Sequence, residues 1–187
     1  HAPAAEPAAS TAQTVSGGSF DWGVRQSIRN YLENFGHTAG FVAAYQGATY
    51  RLGDSAASFP VASGTVDVEA QTASIAVDGE LEMFGFGDPW LHFEDVRIEI
   101  ADGTATVVVD MIESYNVRTR TDDVALATFD VPAGGLVIED DTLTLATAAG
   151  RFPENIGLNH LPAYGGPTYV APNDRTDPFT LTLELGE

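Results

Sequence analysis

Apolar and polar residues alternate through most of this chain. Val96-Arg97-Ile98-Glu99-Ile100, Thr104-Ala105-Thr106-Val107, Thr142-Leu143-Thr144-Leu145-Ala146 and Thr180-Leu181-Thr182-Leu183-Glu184-Leu185 put an apolar side chain at every second position. That is the period of a strand with one buried face. Further strands are predicted over 40–45, 48–52, 59–68, 72–79, 80–84, 91–93, 117–121, 124–129 and 136–138. Gln46-Gly47, Asp102-Gly103 and Glu139-Asp140-Asp141 supply turns between them. About ten short strands at turn spacing predict a mainly β fold, an antiparallel β-sandwich or barrel-like domain.

One segment departs from the period of two. Val24, Ile28, Tyr31 and Phe35 recur at i, i+4, i+7 and i+11, one face of a short N-terminal α-helix. Asp21 is expected to cap its start and Gly36 to end it. Arg25 and Arg29 then share a neighbouring face, one turn apart. Residues 1–18, rich in Ala, Pro, Ser and Gly, are expected to form a flexible leader of the kind left after a signal peptide is removed, and 19–187 a single domain. A Gly/Pro/aromatic loop over 150–178 precedes the last strand.

Charge narrows the function. The chain carries a formal −19, and its eight basic residues are all arginine. Such a surface repels phosphate backbones and anionic lipid, which disfavours nucleic-acid partners and direct membrane insertion. With no cysteine there is no disulfide, thiolate metal site or cysteine nucleophile. No nucleophile elbow, P-loop or dinucleotide fingerprint occurs, and no local pattern marks a carboxylate pair, so the expectation is a protein without catalysis. An acidic glycosidase-like enzyme is the weakest alternative. His1, His37, His92 and His160 are scattered without an i,i+4 pair, so no dedicated zinc site is expected. The acids fall mainly in turns and on alternating strand positions, where solvent-facing charges belong.

Aromatic residues are the remaining signal. Phe84-Gly85-Phe86-Gly87-Asp88-Pro89-Trp90-Leu91-His92-Phe93 gathers large rings and a histidine around glycines, and Tyr164-Gly165-Gly166-Pro167-Thr168-Tyr169 forms a second cluster. Glycine beside aromatics lets backbone approach a flat ligand, although an aromatic-rich β-core is the more ordinary use of such rings. Tyr31 has the same two readings. It is either a core phenol with one hydrogen bond or a phenolate ligand for ferric iron.

The segment Trp22-Gly23-Val24-Arg25, Ser27-Ile28-Arg29 and Tyr31 resembles the opening motif of the HtaA-type haem-binding domain of corynebacterial and related actinobacterial haem-uptake proteins. Gly47-Ala48-Thr49, Phe59-Pro60, Gly64-Thr65-Val66, Val96-Arg97-Ile98-Glu99-Ile100 and the Gly-Gly-aromatic stretch leading to Asp177-Pro178 follow in the family's order. The resemblance implies a secreted or cell-surface haem-binding protein, a hemophore of iron acquisition. It would capture ferric haem b, free or from haemoglobin, and relay it to a downstream uptake receptor. Tyr31 falls at the family's iron ligand. Phe86 stands where the family carries a supporting histidine, with His92 or His37 as substitutes for it. Phe86, Trp90 and Tyr164, the last with Tyr169 as a less well-spaced alternative, would wall the porphyrin. Arg25 or Arg29 would meet a propionate. The alternative implied by Phe86 is a haemoglobin- or other protein-binding surface module that has kept the fold and lost haem ligation.

Overall fold

The computed structural model describes residues 11–34, 40–85, 90–114, 117–153 and 175–186. Along the chain these form β1 (Gln13–Trp22), α1 (Gln26–Asn34), β2 (Phe41–Tyr45), β3 (Ala57–Asp67), β4 (Thr72–Val77) and β5 (Glu80–Phe84). Then follow β6 (Trp90–Ala101), β7 (Thr104–Ser114), β8 (Arg118–Asp130), β9 (Ile138–Glu139), β10 (Thr142–Ala146) and β11 (Phe179–Leu185). The fold is mainly β, as the alternation predicts.

All eleven strands belong to one antiparallel, unclosed sheet, which runs β2-β5-β6-β4-β3-β1-β11-β10-β9, with β7 and β8 branching from β6. The branch arises because β6 is long. Its first half pairs with β5 (Leu81↔Phe93, Met83↔Leu91) and its second with β4 (Ile75↔Ile98) on one side, while β7 runs along the other. A bulge between Glu94 and Arg97, with Asp95 at φ 46°, separates the halves and keeps Leu91, Phe93, Val96, Ile98 and Ile100 all facing inward. The segments 91–93 and 96–100, expected as two strands, are therefore one bent strand. The same holds for 117–121 and 124–129, which lie in β8.

Three other expectations change. Residues 48–52 carry only an isolated bridge, Thr49↔Ser58. β1 begins at Gln13, inside the stretch expected as a leader, and pairs with β3 on one edge and β11 on the other. Phe20 and Trp22, grouped with the helix from the sequence, are the last inward-facing residues of β1. Their rings meet Phe59, Phe129 and Phe179 at centroid separations of 5.3 to 6.2 Å. This aromatic cluster is the centre of the core.

Candidate functional site

The chain leaves β1 through Gly23 and Val24, which takes a left-handed φ of 61° and buries its side chain fully. Only then does α1 start. Asp21 cannot cap it, because Asp21 is paired within the sheet, opposite Ser58 and Thr180. The cap comes from the far end of the chain. Asp177 Oδ1 accepts from the Gln26 amide at 3.0 Å, and the Asp177 amide donates to the Val24 carbonyl at 2.9 Å. One orphan donor of the helix start is thereby satisfied, with a negative charge at the positive end of the helix dipole.

The rest of the opening motif converges on the same two residues. The Trp22 indole donates to Thr176 Oγ1 at 2.9 Å and to the Asp177 carbonyl at 3.1 Å. Arg29, 4% exposed, bonds Asp177 Oδ2 at 2.6 Å and the Gly23 carbonyl. A Cβ on Gly23 would collide with the Arg29 guanidinium and the Ser55 carbonyl, so the backbone must be bare there. Trp22, Gly23, Arg29 and Thr176-Asp177 are thus one structural latch. Arg29 is committed to it, which corrects its assignment to a propionate. Arg25, half-buried, donates through Nε to Ser27 Oγ at 2.9 Å.

What the latch positions is Tyr31. Ile28 and Leu32 are buried, and Tyr31 on the same helix packs half-buried against the core. Two residues on, Glu33 accepts a 2.6 Å hydrogen bond from the Tyr50 hydroxyl, whose pKa is pushed up, first by burial and then by that carboxylate. Beside the helix, the end of β2 and β5 carries Phe41 stacked on Phe84, centroids 5.3 Å apart and planes at 24°, with Phe41 40% exposed. The β2 alternation did not single out Phe41. Its cross-strand partner could have, because two aromatic residues end neighbouring strands here.

The other expected site residues divide. Phe86, His37, Tyr164 and Tyr169 lie outside the described residues. Trp90 opens β6 opposite Ser114. His92 lies on the outward face of β6, since its neighbours Leu91 and Phe93 point into the core. It meets Glu80, Glu82 and Glu94 there, and its ring lies parallel to that of Tyr45.

One polar residue missed in the sequence is Glu113 on β7. The register sets Leu91 and Thr119 on either side of it, and it shares the inward face with Met111. It is 8% exposed, its Oε1 has no hydrogen-bond partner among the described residues, and desolvation raises its pKa.

The described residues thus form an antiparallel β-sheet with one latched helix that carries Tyr31. The HtaA family profile (Htaa) matches residues 17–172, and the chain belongs to that family. Solved structures agree on the fold. The C-terminal domain of HtaA from Corynebacterium glutamicum matches at TM-score 0.77 and 20% identity, covering 93% of this chain and 99% of that one. The N-terminal domain of HtaA from the same organism matches at 0.73 and 19%, covering 94% and 100%. The heme binding protein HtaB from that organism matches at 0.71 and 16%, covering 94% and 96%. No curated protein matches the chain.

Proposed function

We propose that this protein binds ferric haem b through the phenolate oxygen of Tyr31 and passes it on without chemical turnover. The observation that carries this is the placement of Tyr31. A helix pinned at its first turn by Asp177 and Arg29 holds a phenol half in the core and half out of it. An oxygen donor of this kind suits hard ferric iron, and haem supplies the iron centre and a flat apolar face for burial. Family membership supports the same ligand, as does the likeness to the heme binding protein HtaB.

Within this proposal Phe86, Trp90 and Tyr164 wall the porphyrin, and Arg25 takes over the propionate contact from Arg29. His92 drops out of the haem set, because it occupies the other face of the sheet among glutamates. Capture from haemoglobin and delivery to an uptake receptor at the cell surface, or in secreted form, belong to the same proposal. Among the described residues no helix is long and apolar enough to cross a membrane.

A hemin titration followed by absorbance, on the wild type and on Tyr31→Ala and Tyr31→Phe, tests the proposal. Saturable one-to-one binding with a tyrosinate-type high-spin spectrum is expected in the wild type and lost in both variants. Binding that survives both would move the ligand elsewhere. A wild type with no saturable binding would leave the protein-binding module as the function of this fold.

A further inference from the structure

The outward face of β5 and β6 carries a group of side chains that the haem proposal does not use. Leu81 and Met83 of β5 and Leu91 and Phe93 of β6 face the core, so Glu80, Glu82, His92 and Glu94 face out. The register pairs Glu82 with His92 and, continued by two residues, sets Glu80 opposite Glu94. His92 Nδ1 lies 3.4 Å from Glu82 Oε2, and His92 Nε2 lies 2.8 Å from Glu80 Oε2 and 3.7 Å from Glu94 Oε1. The imidazole is 12% exposed. It lies parallel to the Tyr45 ring at 6.4 Å, and the Tyr45 hydroxyl donates to Glu82 Oε1 at 3.2 Å. Arg120 Nη1 holds the other oxygen of Glu94, Oε2, at 2.7 Å.

The ring and two of the carboxylates converge on one position. A neutral imidazole has one N–H and one lone pair. With the N–H on Nε2 the ring donates to Glu80; with the N–H on Nδ1 toward Glu82, the Nε2 lone pair joins one oxygen each of Glu80 and Glu94 as three ligand atoms around one position. In that second tautomer a metal ion fits between them. The three atoms lie within 4.8 Å of one another. In a tetrahedral zinc site with bonds of about 2.0–2.1 Å, ligand atoms stand roughly 3.3 Å apart, so small side-chain rotations suffice. Glu82 behind Nδ1 completes the carboxylate–histidine–metal arrangement that fixes the tautomer and ring orientation in metal sites. A nitrogen donor with only two carboxylates suits a zinc-class ion better than calcium or magnesium, which take sets of oxygens.

We propose that His92 Nε2, with one oxygen each from Glu80 and Glu94, binds a divalent transition-metal ion of the zinc class on the sheet face opposite the core, with Glu82 orienting the ring. This proposal departs from the expectation that the scattered histidines form no dedicated zinc site. Histidine spacing along the chain is blind to partners that β-pairing supplies. The proposal does not depend on haem binding.

The test is calorimetric titration of the untagged full chain with zinc chloride alone, at neutral pH in a non-chelating buffer. His92→Gln, Glu80→Gln and Glu82→Gln are titrated alongside, with Glu99→Gln as a charge-matched control elsewhere on the acidic surface. Circular dichroism verifies the fold of each. One site per chain is expected. His92→Gln and Glu80→Gln should each weaken it at least about tenfold, and Glu82→Gln by roughly 10- to 100-fold. Glu99→Gln should bind as the wild type does. Unchanged affinity in His92→Gln would overturn the proposal, as would equal weakening by Glu99→Gln. No saturable binding up to about 1 mM zinc would overturn it as well.

Discussion

Glu113 shows what a single residue can hide in an alternating sequence. Met111-Ile112-Glu113-Ser114 reads as though its acid faces solvent, yet Met111, Ile112 and Glu113 are all buried. Alternation predicts which residues share a face, here Met111 and Glu113, but not whether that face remains covered at the end of a strand. Burial raises the pKa of Glu113 above the ordinary 4.5, so the folded state disfavours its charge. The sign follows. Below about pH 4.5 the group is neutral in both states and carries no electrostatic penalty, and the penalty grows as pH rises through the higher folded value. Glu113→Gln should therefore stabilise the protein at neutral pH by about 1 kcal/mol, or roughly 2–4 °C in melting temperature for a domain of this size. The gain should vanish toward pH 4, as thermal melts of both forms across pH would reveal.

At the scale of elements, the strands were the legible part. Glu80–Phe84 and Thr142–Ala146 stand where alternation sets them. The helix was legible in existence but not in its start. Phe20, Trp22 and Val24 are spaced by two, a strand signal, while Val24 and Ile28 are spaced by four, a helix signal. Val24 serves both as the hinge between the two elements. The true cap was not legible at all, because Asp177 lies 151 residues from the amide it accepts from. Asp177→Ala removes the cap and leaves the buried Arg29 without its carboxylate, which should destabilise the protein by about 3–5 kcal/mol in urea unfolding. Asp177→Asn, which keeps a capping oxygen but loses the charge, should fall between the two. With Tyr31 as the proposed iron ligand, both changes should also weaken hemin binding, although Asp177 acts only by holding the helix start.

For the whole molecule, composition foretold the surface better than the topology. The net charge of −19 leaves few partners for the acids, and the arginines that find them are shared. Arg97 reaches Asp95, Asp110 and Asp123, and Arg120 reaches Glu94, Asp110 and Asp122. Repulsion among the unpaired acids exceeds what these exposed pairs return. Raising salt from about 0.01 to 1 M shortens the screening length from about 30 to 3 Å. The melting temperature should therefore rise by several degrees in sodium chloride, and a fall would show that the arginine networks dominate. The branch of the sheet at β6 was beyond the sequence, since a bulge at Asp95 and one at Asp123 look like breaks between strands rather than bends within them.

The latch also sets an order of events. β1 lies between β3 and β11, and α1 has its cap, its buried counter-ion and its indole tie only once Thr176 and Asp177 arrive. A chain emerging from its N-terminus makes the phenol-bearing segment early, yet must leave it unanchored until almost the last strand is in place. Contacts of such sequence separation form late and slowly. Under the proposal of haem binding through Tyr31, ligand capture would thus be withheld from partly made or C-terminally clipped chains and granted to the finished domain.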